Sequence, residues 1–315
     1  MNRAQCELTL IDFLRESVKS DYILLDLPYF PNVGDVLIWQ STMDILREIP
    51  YKCLYSSSIE TYRKPKINKN VVILFMGGGN FGDLWIRHQH YRHRVLDDFP
   101  KNPIIQLPQS ICFNDHQFLQ EDIKRFYDHE GKITICTRDE KSFQFVNTNY
   151  PIVDSVLLPD MVLALDVHKY IKPIEGKGTL FVKRNDSESA NNPEERIVPQ
   201  DADIRDWPTM EKLLLSHRII AHRIIPKTII LDEKFGTHIT NVVRDVYFKL
   251  YFRKRIIKSG LRFINQYKTV YTTRLHVGIV AALLGKPTIM YDNSYGKIRG
   301  VYDKWMNDWN GLSIK

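Results

Sequence analysis

The chain has 315 residues and a mass of 37.1 kDa, with 43% hydrophobic and 26% charged side chains, enough for a sizeable core and, by length, two domains. No stretch approaches the roughly 20 apolar residues that span a bilayer, and the opening MNRAQCELTLIDFLRESVKSD carries acids where a signal peptide would be apolar, so the expectation is a soluble, cytoplasmic protein. The formal charge of +7 is concentrated: residues 244–268 hold eight Lys/Arg against one Asp, a surplus equal to that of the whole chain.

In chain order, compact Ile- and Val-rich runs followed by Gly, Pro or polar residues predict strands at 22–27, 71–76, 104–110 and 133–138. Between the first two, Trp39, Met43 and Leu46 recur at helical spacing and predict a helix over 36–49. Strand and helix in repeated alternation predict a parallel α/β sheet. A second series follows the stretch IKPIEGKG, with strands expected at 179–184, 218–225, 269–274 and 287–292. Residues 185–208, dense in Asp, Glu, Asn, Ser and Pro, read as a long mobile loop. The expected division is 1–172 and 173–315, two Rossmann-like domains facing a cleft, with the C-terminal tail packing back on the first. Cys6, Cys53, Cys112 and Cys136 form no CxxC pair, which argues against a structural zinc or a disulfide framework.

Open parallel sheets place their chemistry at strand ends. PNVGD (31–35) reads as a strand-to-helix turn, with Gly34 permitting a tight backbone and Asp35 as a candidate cap or substrate-facing carboxylate. GGGNFGD (77–83) reads as a second such turn, whose Gly77, Gly78, Gly79 and Asn80 could bring bare N–H groups to an anion at a helix start. It carries no Gly-Lys-Ser/Thr, so it is not a Walker A loop, and a tight turn whose glycines let the two domains approach is the plain alternative. In TTRLHVGIVAALLG, a strand ending at Arg274 and a helix from Val277 put Arg274 and His276 on one side and Leu275 toward the core. A guanidinium, an imidazole and helix N–H groups make an anion site, unless both side chains are spent on nearby carboxylates. Arg184 ends a strand at the same sheet edge, and Lys297 follows Asp292, Asn293, Ser294, Tyr295 and Gly296 in a turn that could reach the same place. His88, His90 and His93 cluster without Cys or acid among them and read as a solvated basic segment that could touch an acceptor; no metal site is expected.

PNVGD, MGGGNFGDLW, the Arg138-Asp139-Glu140 turn, LPDMVLAL and TTRLHVGIVAALLGKPTIMYDNSYGKI together resemble the polysaccharide pyruvyl transferase family, from about residue 28 to about residue 305. The resemblance implies a fold similar to GT-B glycosyltransferases. It also implies transfer of a pyruvyl group from phosphoenolpyruvate across two hydroxyls of a galactose- or mannosamine-type sugar of a cell-surface polysaccharide such as a capsule or exopolysaccharide, as a cyclic ketal. By motif match, Arg274, His276 and Arg184 hold the donor, with Lys297 added from the bottom-up reading. Phosphoenolpyruvate is then a co-substrate and no cofactor is expected.

Ketal formation needs a proton donor and a proton acceptor. His276 is the candidate acid and donor contact, and Asp35 the candidate base for the acceptor hydroxyl, with Asp83 and Asp292 as rivals. Residues 244–268 alternate cations with Tyr, Phe, Ile and Leu, which fits an anionic membrane surface at the inner leaflet, where an acceptor could be lipid-linked, or a core helix with a solvated basic face. No nucleic-acid motif accompanies them. A glycosyltransferase using a nucleotide sugar and a non-catalytic binding protein are the other classes the glycine turns and the basic segment would fit.

Overall fold

The computed structural model describes residues 1–184, 198–212, 214–292 and 296–315. Two parallel sheets divide the chain. The first holds β1 (Tyr22–Leu25), β2 (Cys53–Ser57), β3 (Val72–Phe75), β4 (Gly78–Gly82), β5 (Ile104–Cys112), β6 (Ile133–Thr137) and β7 (Asp154–Leu157). Its order is β2-β1-β3-β5-β6-β7, and β4 continues past β3 along the same side of β5. The second holds β8 (Thr179–Val182), β9 (Asp203–Arg205), β10 (Thr269–Thr272), β11 (Thr288–Met290) and β12 (Leu312–Ile314), in the order β12-β11-β10-β8-β9.

Both sheets reverse direction at the same point. The first strand of each lies between the second and the third, so the crossovers diverge between β1 and β3, and again between β8 and β10. At such a switch point the connections leave a crevice beyond the carboxyl ends of the strands, which is where an open α/β sheet takes its ligand. Asp26 follows β1, Gly78 and Gly79 follow β3, Arg184 follows β8 closely, and Arg274 follows β10.

Alternation along each strand assigns its two faces. Leu24, Val72 and Leu74 enter a core shared with Leu180, Val182 and Val270 of the second sheet, while Ile23, Leu25, Ile73 and Phe75 enter a separate core on the other face. One hydrophobic core thus joins both sheets, with the short 3-10 turn Met161–Ala164 buried inside it. The last helix, Lys297–Trp305, returns to the first half, where Trp305 Nε1 donates to the Arg138 carbonyl at 2.7 Å.

Several expectations change. The helix expected over 36–49 runs Val33–Ile45, followed by a 3-10 turn at Leu46–Glu48. Residues 218–225 are helical rather than a strand: Leu215–Ile219 leads through the π segment Ile220–Ile224 into Ile225–Phe235. A short branched apolar run fits either state by periodicity, and here it meets no neighbouring strand. Residues 185–197 of the expected loop lie outside the described residues; its remainder contains β9 and the start of the helix Pro208–Glu211. In the basic segment, Ile256, Ile257, Leu261, Phe263 and Ile264 of the helix Arg253–Asn265 are buried in the shared core, and Lys254, Arg255, Lys258 and Arg262 face solvent. Among the described residues no helix is long and apolar enough to cross a membrane.

Candidate active site

A cavity of about 340 Å³ lies at the two switch points and is lined from both halves of the chain, by Asp35, Gly79, Asn80, His88, Arg138, Arg184, Arg274, His276 and Lys297, with Phe30, Trp85 and Trp207 as aromatic walls. The structure therefore brings together Asp35, Arg184, Arg274, His276, Lys297, Gly79 and Asn80 of the residues singled out in the sequence. Gly34, Gly77 and Gly78 stand behind them.

The first half contributes through three strand ends. Asn32, not Asp35, caps the helix Val33–Ile45, accepting from the Gly34 N–H at 3.0 Å, so Asp35 falls in the first turn and faces the cavity. Loss of solvent pushes the Asp35 carboxyl above its ordinary range, against the pull of His276, Lys297, Arg138 and His88. The glycine-rich segment is a strand rather than a helix-start cradle. A Cβ at Gly77 would stand 2.7 Å from the Pro108 carbonyl oxygen, and Gly82, at φ +115°, lies hard against Cys112. These glycines let β4 run close beside β5, and the next helix begins later, at Ile86. Gly79 is pressed between two cations: its Cβ would meet Arg138 Nη2 at 3.0 Å and Lys297 Nζ at 3.2 Å.

In the second half, β10 ends at Thr272, earlier than the alternation argument assumed. Arg274 is the cap residue of the helix Leu275–Leu283, its N–H held by Thr272 Oγ1 at 2.9 Å, and Leu275, though buried, also touches the cavity. Both key side chains meet carboxylates. Arg274 forms a two-point clamp with Asp206, Nε to Oδ1 at 2.5 Å and Nη2 to Oδ2 at 2.7 Å. His276 Nε2 lies 3.3 Å from Asp160 Oδ2, which Arg138 Nη1 also reaches at 2.5 Å. Burial opposes the Asp160 charge, but His276, Arg138 and the Val162 N–H outweigh it and hold this carboxyl well below the usual range. Arg184 is buried, with its N–H on Thr273 Oγ1 at 2.9 Å. Lys297 opens the helix Lys297–Trp305 and is also buried; Asn293, Ser294 and Tyr295 before it lie outside the described residues.

Packing across the two halves ties the motifs to each other. A Cβ on Gly34 would fall 2.4 Å from His276 Nδ1, so the glycine of PNVGD is what admits the histidine of RLH. The rival carboxylates lie outside the cavity lining: Asp83 accepts from the N–H groups of Asn114 and Asp115, and Asp292 from those of Ile298 and Arg299.

Sequence reasoning missed Asp26, Arg138, Asp160 and Asp206 as site residues, and placed His88 only within a solvated basic segment that could touch an acceptor. Asp26 directly follows β1, so the switch-point rule could have found it. His88 is not solvated: its Nδ1 sits 2.8 Å from Asp26 Oδ1, and Asn80 Nδ2 reaches Asp26 Oδ2 at 3.1 Å. Behind them Arg92 donates to Asn80 Oδ1 at 2.6 Å and Gln106 Oε1 at 2.8 Å. His93 is buried against Asp122 at 2.5 Å, and of the three histidines only His90 is exposed. Among the described residues no three His, Cys, Asp or Glu are placed to hold a metal ion.

A family model for polysaccharide pyruvyl transferase matches residues 32–295. The chain is 29% identical over 289 residues to EpsO of Bacillus subtilis (strain 168), described as a candidate pyruvyl transferase; the alignment covers 91% of this chain and 86% of that protein. It is 27% identical over 307 residues to pyruvyl transferase 1 of Schizosaccharomyces pombe (strain 972 / ATCC 24843), covering 92% and 71%. Among solved structures it is similar to the functionally uncharacterized protein KP1_0663 of Klebsiella pneumoniae subsp. pneumoniae NTUH-K2044, with a TM-score of 0.64 at 20% identity and 98% of each chain covered, a likeness of fold alone.

Proposed function

The chain belongs to the polysaccharide pyruvyl transferase family, enzymes of pyruvyl transfer, and on that premise we propose that it moves the pyruvyl group of phosphoenolpyruvate onto two hydroxyls of a galactose- or mannosamine-type sugar as a cyclic ketal, releasing phosphate. The observation that carries this reading is the convergence of Arg138, Arg184, Arg274, His276 and Lys297 on one cavity of about 340 Å³. A small donor bearing both a carboxylate and a phosphate calls for clustered cations with fixed geometry. The two sheets with their matching switch points support a GT-B-like pair of domains, 1–172 on the acceptor side and 173–315 on the donor side.

Transfer begins with a proton added to the methylene carbon of the enol, which leaves the adjacent carbon cationic. One sugar hydroxyl attacks that carbon and loses its proton. The bond to the phosphate oxygen then breaks, the electron pair leaving with phosphate, and the second hydroxyl closes the ring and loses its proton. His276, held by Asp160, contacts the donor and supplies the first proton; Asp35 accepts a proton from one hydroxyl. Asp206 keeps the planar Arg274 fork aimed, and Phe30 and Trp85 offer aromatic faces to the acceptor ring.

The test is phosphate release from phosphoenolpyruvate with galactosides and N-acetylmannosamine derivatives, free and lipid-linked, for the wild type, Arg274→Ala and His276→Ala. Release that depends on one acceptor and vanishes in both variants is the expected result. Consumption of nucleotide sugars, with phosphoenolpyruvate untouched, refutes it.

A further inference from the structure

Twelve of the twenty-one exposed large apolar side chains among the described residues fall between Leu215 and Tyr251. This stretch is a helical hairpin. One arm ends at Phe235, Gly236 turns in the left-handed region at φ +60°, and the second arm, Ile239–Val246, continues through the π segment Tyr247–Phe252. The turn is built: Asp232 accepts from Thr237 Oγ1 and the N–H groups of Ile239 and Thr240, and Thr240 Oγ1 meets Thr228 Oγ1 at 3.0 Å between the arms. One side is fastened to the first half, where Asp245 accepts from Tyr29 and Thr61 and Phe248 stacks on Tyr29 at 4.4 Å. Away from that anchor, Ile239, Val242, Val246 and Leu250 repeat at helical spacing and are all exposed, and Ile230 and Phe235 of the other arm are more than half exposed.

We propose that this hairpin is a docking surface for an anionic lipid bilayer. Arg218, Arg223, Lys227 and Lys234 are exposed among the apolar side chains, while Glu233 is the only exposed acid between residues 215 and 251. Apolar anchors flanked by cations match a headgroup layer of negative charge. A second copy related by a two-fold axis would set the same cations against themselves. The surface overlaps the segment expected at 244–268 only at its start, through Val246 and Leu250; the helix Arg253–Asn265 that makes up the rest of that segment spends most of its apolar side in the core.

Flotation with phosphatidylcholine vesicles, with and without phosphatidylglycerol, tests it on the full chain. The wild type should bind only the anionic vesicles and release in high salt. Arg223→Ser/Lys227→Ser should weaken binding about thirtyfold, at about fivefold per removed charge, and Ile230→Glu/Phe235→Glu should abolish it, with circular dichroism melts unchanged. Absence of wild-type binding, or binding that both variants retain, overturns the proposal. So does a wild-type dimer in light scattering that Ile230→Glu/Phe235→Glu converts to monomer.

A separate observation bears on the chemistry and rests on the pyruvyl-transfer reading. Two hydroxyls lose protons in ketal formation, and Asp35 accounts for one. Asp26 is the only non-glycine among the described residues with a positive φ, +67°, a conformation that costs energy and persists where surroundings enforce it. It holds His88 Nδ1, and the ring lines the cavity beside Phe30, which leaves Nε2 for a ligand. We infer that His88 Nε2 takes the proton of the other hydroxyl as its oxygen bonds to the ketal carbon, with Asp26 as the positioning residue.

His88→Ala should lower turnover at least about a hundredfold while calorimetry shows unchanged binding of phosphoenolpyruvate alone. In Asp26→Asn kcat should fall while the KM for phosphoenolpyruvate stays at its wild-type value, because the imidazole is present but no longer held in line by the carboxylate. Donor binding intact with His88→Ala turnover near wild type overturns the assignment alone. A wild type that binds no phosphoenolpyruvate overturns the pyruvyl-transfer reading as well.

Discussion

Gly34→Ala is the sharpest perturbation the site allows, because it adds one methyl at the seam between the two motifs. Residue 34 lies in the first turn of the helix Val33–Ile45, where alanine is favoured over glycine by about 0.5–1 kcal/mol, so the backbone has no reason to fail. The new Cβ would stand 2.4 Å from His276 Nδ1, 3.1 Å from its Cγ and 3.2 Å from its Cβ. Ordinary contact begins at 3.4 Å, so the imidazole must retreat by roughly 1 Å and loses its alignment with Asp160. A displacement of that size costs about a hundredfold in rate, or about 2.7 kcal/mol of transition-state stabilisation. Acceptor-dependent phosphate release should fall by that factor while the thermal midpoint stays within a few degrees of wild type. Wild-type kcat and KM in Gly34→Ala would refute the claim that the contact between helix start and histidine matters.

Further outcomes follow from the buried charges. Asp35 holds its proton more tightly when folded than unfolded, so its contribution to stability is fullest below the ordinary carboxylate range and declines as pH rises through its raised value. Asp35→Asn, which cannot ionise, should therefore gain stability relative to wild type with increasing pH in denaturant titrations, and should lose turnover. Asp160 is the opposite case: its stabilisation is full above the unfolded carboxyl range near pH 4 and is lost only as pH falls through its depressed value. Asp160→Asn should cost about 3–5 kcal/mol in urea unfolding at neutral pH by leaving Arg138 without its buried partner, the difference from wild type narrowing only in strong acid. In the core, a Cβ on Gly260 would lie 2.4 Å from Val33 Cγ1, so Gly260→Ala should destabilise by about 1–3 kcal/mol, and adding Val33→Ala should recover part of it.

Periodicity located the strands buried on both faces, one face by the shared core and the other by the separate core, β1, β3, β5 and β6, because continuous branched runs of that length carry their own signal. It did not find β4, which reads as glycine and asparagine and is a strand only because β5 lies beside it. It also misread 218–225, where identical branched residues are helical in a hairpin with no sheet edge to join. The site divides in the same way. Arg274, His276, Arg184 and Lys297 were legible as cations at strand ends or helix starts. Asp206 and Asp160, which orient Arg274 and His276, were not, since they lie 68 and 116 residues away in the chain.

Local order of residues thus determined that this chain is α/β, that its cations cluster after particular strands, and that its motifs resemble a family of pyruvyl transferases. Which carboxylate meets which cation, why residue 34 is glycine, and that His88 turns inward to Asp26 were decided by tertiary structure alone. Backbone propensity and hydrophobic period act over a few neighbouring residues, whereas ion-pair geometry and steric exclusion depend on where two distant segments come to rest in the same crevice.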